Sequence, residues 1–273
     1  MQSTGSGAEP RTPPGSEGEP ARWLRTSRSA RPLVVGHRGA AGLAPENTLA
    51  AFELALSLGV DVLECDVHLT RDGHLAIIHD DTVDRTTNGK GPVAGHSLAE
   101  LRALDAGSWR GPEFAGQRVP VLEELLALAR GRAHVSIELK QGPLFQSGVE
   151  KALVAALEAS GAIEEVLVIS FDHRAVRRVR ELSPRVGVGV LYVGRPVDPA
   201  GLARAAGAQV LLPQWTLITE EDVQAAHRAG LAMLPWTVND PERMAGLLDI
   251  GVDGMASDYP DRLLAVVAAR AAR

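Results

Sequence analysis

His37 and Arg38 stand side by side at the end of the apolar run "PLVVG", and His79 ends a second such run, "HLAIIHD". Two imidazoles with pKa near neutrality can trade acid and base roles across one bond. The segment "LECDVHL" carries Glu64 and Asp66 two residues apart, which on a strand is one face. Two carboxylates on one face repel unless a cation or a proton lies between them. "HVSIELK" adds Glu138 and Lys140 with the same spacing. Three carboxylates from two strands match the hard-oxygen preference of Mg²⁺ or Ca²⁺. Zinc is disfavoured, since no cysteine set and no closely spaced histidine pair on a helix is present. Arg38 offers a fork that suits two oxygens of a phosphate, and Lys140 a point charge. Cation, Arg and Lys together fit an anionic, phosphorus-centred transition state better than a carbonyl, and no G-x-S-x-G nucleophile elbow occurs.

These side chains need a frame that brings strand ends together. From residue 32 onward, β-branched runs alternate with segments of helical period such as "NTLAAFELALSLG", "LEELLALARG" and "TEEDVQAAHRAG". Gly59, Gly131, Gly161 and Gly230 close helices as left-handed caps. Repeated βα units with apolar strands indicate a parallel sheet covered by helices, and about eight of them indicate a closed (β/α)₈ TIM barrel. No Gly-rich dinucleotide fingerprint or P-loop follows a strand.

Nine runs read as strands, one more than a barrel needs. In "DVHLTRDGHLAIIHD" only Asp72-Gly73 separates two alternating runs, which reads as a two-residue hairpin turn. An antiparallel hairpin arm follows, with Arg71 opposite His74 and Asp66 opposite His79. Opposed side chains project to one face with Cβ atoms about 5 Å apart, so Glu64, Asp66 and His79 converge. Residues 80–118 form no clear βα unit beyond a short helix near "LAELRAL" and read as a small insertion after the third strand that shapes a binding site.

The remaining candidates carry less. His96, His173 and His227 read as solvated, His134 begins a strand away from the active end, and His68 shares the face of the acids as a supporting residue. Asn47 reads as a helix N-cap, and Glu46 either orients Arg38 or favours the helix N-terminus. Trp236 and the weaker Phe171 end strands, where each reads equally as a core aromatic or as a wall for a small bound group. Cys65 faces away from its acidic neighbours, into the core.

Composition bounds the rest. The chain has 273 residues, 45% hydrophobic and 23% charged, as in a globular protein with a full core. A net charge of −6 and 4% aromatics argue against nucleic-acid binding. The single cysteine excludes an internal disulfide. No run approaches the roughly 20 apolar residues that span a bilayer, which argues against stable membrane insertion. Residues 1–30, crowded with Gly, Pro, Ser and Glu, read as a disordered tail without a signal-peptide core, ahead of a barrel domain over 31–273; a cytoplasmic location is the expectation.

The ordered set "GHRG…PENTLAAF", "ECDVHLTRDGHLAIIHDDTVDRTTNG", "IELK", "WTVND" and "DGMASDYPDRL" resembles the glycerophosphodiester phosphodiesterase family. The resemblance runs from about residue 32 to the last motif. It implies a (β/α)₈ barrel with an insertion after the second catalytic histidine. It further implies one divalent cation on Glu64, Asp66 and Glu138, acid–base work by His37 and His79, and phosphate contacts by Arg38 and Lys140. The closing motif has "ASDYPD" where the family often has threonine, a change expected to be neutral. The implied reaction is hydrolysis of a glycerophosphodiester to glycerol 3-phosphate and an alcohol, with His37 taken as base and His79 as acid. The rivals are a barrel acting on lipid phosphodiesters, like lysophospholipase D or phospholipase C, and a barrel that binds a phosphodiester without cutting it. No docking helix or exposed aromatic cluster is read from the sequence. Head group and oligomeric state stay open.

Overall fold

A computed structural model describes Trp23, Leu24 and residues 31–271. Nine strands make one sheet: β1 (Leu33–Gly36), β2 (Val62–Leu69), β3 (Leu75–Ile77), β4 (His134–Leu139), β5 (Val166–Ser170), β6 (Gly187–Tyr192), β7 (Val210–Pro213), β8 (Ala232–Met233) and β9 (Gly254–Ser257). The order is β8-β7-β6-β5-β4-β2-β1-β9, with β3 pairing to β2 outside that path. All pairs along the path are parallel. The seam between β8 and β9 is bridged by backbone bonds from Asp253 to Met233, Ala256 to Pro235 and Val238 to Ala256. The fold is a (β/α)₈ barrel, as the alternation of elements implied.

The strands are apolar on both faces because both faces are covered. Leu33, Val35, Val62, Leu167, Ile169, Leu212 and Leu234 fill the barrel interior. Val34, Leu63, Cys65, Ile137 and Val168 point outward and pack against the helices. Burying a leucine or isoleucine contributes about 1.5–3 kcal/mol, so this double packing outweighs local preferences. Trp23 and Leu24 fall within the segment read as a tail, yet both pack against the barrel. Leu24 is buried in the interior cluster, and Trp23 stacks on His134 with ring centroids 4.2 Å apart. His134 starts β4, so this contact lies at the N-terminal end of the barrel. The rest of that segment, residues 1–22 and 25–30, lies outside the described residues.

The hairpin register differs from the expected one. Val67 pairs with Ile77, His68 with Ala76 and Leu69 with Leu75. The Thr70 N–H donates to the His74 carbonyl, leaving Arg71, Asp72 and Gly73 as a three-residue loop. Gly73 has φ +86°, the left-handed residue such loops require. One extra loop residue shifts every pair by one, so Asp66 lies opposite Ile78, whose N–H donates to its carbonyl. The ladder ends at Ile77, and His79 reaches the site beyond it, free of the pleat.

The 80–118 insertion has a core of its own, built on Ala76, Ile78, Val83, Val93, Leu101, Ala106 and Val119. Its short helix, Leu98–Arg102, begins with a capping box between Ser97 and Glu100.

Candidate active site

The barrel's C-terminal mouth collects the chemistry. His37 follows β1, whose neighbours are β2 and β9, so it stands between an acidic strand and the chain's last strand. The turn after it is tight. A Cβ on Gly36 would lie 2.5 Å from the Gly39 carbonyl oxygen, and Gly39 itself has φ +85°. Between them Arg38 adopts φ +50°, and its N–H donates to Glu64 Oε2 at 2.8 Å. The His-Arg pair is thus pinned to β2 through its own backbone.

Glu64 and Asp66 share the inner face of β2, and Asp66 is in register with Glu138 on β4. All three are buried, with ligand-type oxygens within 4.8 Å of one another. Burial and the neighbouring Asp66 charge push Glu64 up to about 7 and Glu138 up to about 8. Asp66 is also desolvated, but Arg38 and Lys140 outweigh that and hold it ionised, below the usual range. Asp66 Oδ1 is buried and has no hydrogen-bond donor among the described residues; Lys140 Nζ stands 3.6 Å away. An orphaned carboxylate oxygen among three converging acids is the donor set of a hard divalent cation, and these residues fit one. Lys140 Nζ donates to Glu138 Oε1 at 2.7 Å.

Each histidine is held through Nδ1 by an aspartate. His37 Nδ1 is 2.6 Å from Asp258 Oδ1, and Asn239 Nδ2 donates to the other oxygen of that carboxylate. His79 Nδ1 is 2.7 Å from Asp80 Oδ1. The nitrogen left to each ring for proton exchange is Nε2. Burial lowers the pKa of His37, but the Asp258 hydrogen bond and the Glu64 charge exceed it and leave a net rise. Burial dominates at His79, where Arg38 and Lys140 add to it and leave a net fall. His68, buried, places Nε2 3.1 Å from the His79 carbonyl oxygen and so supports that segment.

Every sequence-singled site residue except Asp66 and Glu46 lines one cavity of about 100 Å³: His37, Arg38, Glu64, His79, Glu138 and Lys140, with Phe171 and Trp236 as one wall. Those two rings meet edge-on at 5.4 Å, and Trp236 Nε1 donates to the Leu212 carbonyl. Asp66 lies behind the cavity among its partners. Glu46 accepts from Arg38 Nη1 at 2.7 Å. Asn47 is not the helix cap. Thr48 caps the helix Leu49–Leu58 by accepting from the Ala51 N–H, while Asn47 has φ +57° and donates to Asp66 Oδ2 at 2.8 Å.

Sequence reasoning missed Asp80, Asp258, Asn239 and Arg85. Asp258 carried a signal: it lies two residues beyond inward-facing Ala256, just past the end of the last strand, which closure of a barrel places beside the first.

The model of the glycerophosphoryl diester phosphodiesterase family matches residues 37–262. A glycerophosphodiester phosphodiesterase of Caldanaerobacter subterraneus is 41% identical over 236 residues, spanning 86% of this chain and 97% of the relative. One from Bacillus subtilis is 34% identical, covering 85% of each chain. Among solved structures, a phosphodiesterase of Oleispira antarctica in complex with the product sn-glycerol-3-phosphate superposes with a TM-score of 0.81 at 31% identity, covering 89% of this chain and 99% of that one.

Proposed function

The chain belongs to the glycerophosphoryl diester phosphodiesterase family, and from that premise we propose that it hydrolyses glycerophosphodiesters to glycerol 3-phosphate and an alcohol with one divalent cation, Mg²⁺ or Ca²⁺, on Glu64, Asp66 and Glu138. The observation that carries the reading is the shared cavity of two aspartate-held histidines and the acidic cluster. Arg38 and Lys140 receive the phosphate oxygens. Held by Glu64, Asp66 and Glu138, a divalent cation would supply positive charge against the phosphate and would acidify an oxygen nucleophile. His37 and His79 move the protons: one imidazole takes the nucleophile's proton at Nε2, the other gives one to the departing alkoxide. Phe171 and Trp236 form the wall for the glycerol-sized group.

The test is release of glycerol 3-phosphate from glycerophosphocholine and glycerophosphoethanolamine with Mg²⁺, with Ca²⁺ and with EDTA. Release that needs the metal and is lost in His37→Ala and Glu64→Ala supports the reading. No release from folded, metal-loaded protein sinks it.

One observation favours a lipid phosphodiester as second substrate class. Leu144, Phe145, Phe171 and Val193 are exposed on the loops that follow β4, β5 and β6, at the catalytic end. No docking helix or exposed aromatic cluster is read from the sequence; two of these four residues, Phe145 and Phe171, are aromatic. Among the described residues no helix is long and apolar enough to cross a membrane. Turnover of a lysophospholipid, together with sedimentation on anionic vesicles lost in Phe145→Ser, would support it.

A further inference from the structure

Arg85 comes from the irregular start of the insertion, in "DRTTNG", and reaches back across two loops. Its Nε donates to Asp80 Oδ2 at 2.7 Å and its Nη2 to Asp80 Oδ1 at 3.0 Å. The same guanidinium gives Nη1 to Glu46 Oε2 and Nη2 to Glu46 Oε1, both at 2.8 Å. Asp80 holds His79, and Glu46 holds Arg38. An unbroken chain of bonds therefore runs His79–Asp80–Arg85–Glu46–Arg38.

We propose that Arg85 is a positioning residue that fixes the proton-transferring His79 relative to the phosphate-binding Arg38. Glu46 follows β1 and Asp80 follows β3, so the two carboxylates sit on separate loops. A planar fork that grips both, each through two bonds, sets their spacing and their angle; lysine, a point charge, can set neither. The side chain of Arg85 is 45% exposed, so these pairs contribute little to stability, and their consequence is geometric. Val83, two residues earlier, is fully buried in the insertion's own core, which anchors the segment. Through Arg85 the insertion thus reaches both the His79–Asp80 pair and the Arg38–Glu46 pair.

The inference rests on the proposed roles of His79 and Arg38, so wild type and His79→Ala accompany every measurement. Two diesters of glycerol 3-phosphate are compared: the choline ester, whose leaving alkoxide needs a proton, and the 4-nitrophenyl ester, whose leaving group does not. Arg85→Ala is expected to lose about tenfold or more in kcat on the choline ester, a share of the 10²–10⁴ that positioned acid–base catalysis contributes. KM should rise several-fold on both esters as Arg38 loosens, and the melting temperature should stay within about 3 °C of wild type. The ratio of its losses on the two esters should follow that of His79→Ala. Arg85→Lys, which keeps the charge and the stem, should remain impaired, and it carries the measurement if the alanine variant does not fold. Wild-type kcat and KM in Arg85→Ala, full recovery in Arg85→Lys, or a loss ratio unlike that of His79→Ala would each overturn the inference. Failure of wild type to release glycerol 3-phosphate would instead remove the proposed function itself.

Discussion

His37 Nδ1 lies 2.6 Å from Asp258 Oδ1 although 221 residues separate them. The first and last strands pair in register, Gly36 with Ser257, and the residue after each then faces the mouth together. Asp258 is held ionised, since its hydrogen bond to His37 and the histidine's charge outweigh desolvation. Removing its charge leaves burial to act on His37 with less opposition. Asp258→Asn should therefore bring the His37 pKa below its wild-type value, read by histidine NMR titration of the metal-free protein, and should lower kcat by roughly 10²-fold or more. An unchanged titration would show that Asp258 does not govern the ring.

The acidic cluster makes the metal-free fold sensitive to base. Glu64 and Glu138 ionise near 4.5 in an unfolded chain but near 7 and 8 in the fold. Between those values the folded state binds more protons than the unfolded state, so stability falls as pH rises. His37, raised, adds to the fall above about 6.5, and His79, lowered, opposes it. Asp66 is ionised in both states across this window and adds no slope. Urea melts in EDTA should show midpoints declining from pH 5 to pH 8, with Mg²⁺ or Ca²⁺ restoring the loss at pH 8. Glu138→Gln, uncharged throughout, should flatten the decline. A level profile in wild type would mean the three acids are not packed as described.

Residues on regular strands were legible because the pleat alternates faces. Glu64 with Asp66, and Glu138 with Lys140, came out of spacing alone, and so did the barrel, from apolar runs interrupted by helical periods. What escaped depends on a non-local or irregular feature. Arg71 joins Asp72 and Gly73 in the hairpin loop, which no local pattern announced, so the pairing slips by one and His79 reaches the site by another route. Asp258 needs barrel closure before it has a neighbour. Asp80 and Arg85 sit in a stretch without period, where side-chain reach, not backbone geometry, decides what meets. Trp23 and Leu24 looked like part of a polar tail because two apolar residues make no periodicity.

Asn47 separates a cap from a site residue by experiment. Its φ of +57° costs an ordinary residue about 1–2 kcal/mol, and its bond to the charged Asp66 is of the class that contributes about 1.5–3 kcal/mol. Asn47→Gly keeps the backbone and loses the bond, whereas Asn47→Ala loses both. Denaturant melts should place the alanine variant roughly 1 kcal/mol below the glycine variant. Both should bind the divalent cation more weakly, measured by calorimetry, because Asp66 loses its orienting donor. Unaltered metal affinity in both would return Asn47 to a purely structural role.

The two ends of the barrel can be separated in the same way. Leu24 is 4% exposed within the interior cluster, and Trp23 covers His134 at the N-terminal rim. Packing at that rim concerns stability, since the proposed chemistry sits at the other end of the strands. Leu24→Ala should cost about 2–4 kcal/mol in urea melts, the range for truncating a buried leucine. kcat and KM for glycerophosphocholine should stay at wild-type values at temperatures where the variant is folded, because the proposed catalytic groups are carried by β2 and β4 and by the segments that follow β1, β3 and β9, at the opposite mouth. A fall in kcat as large as the loss of stability would mean that packing at the closed end is transmitted along the interior to His37 and Glu64.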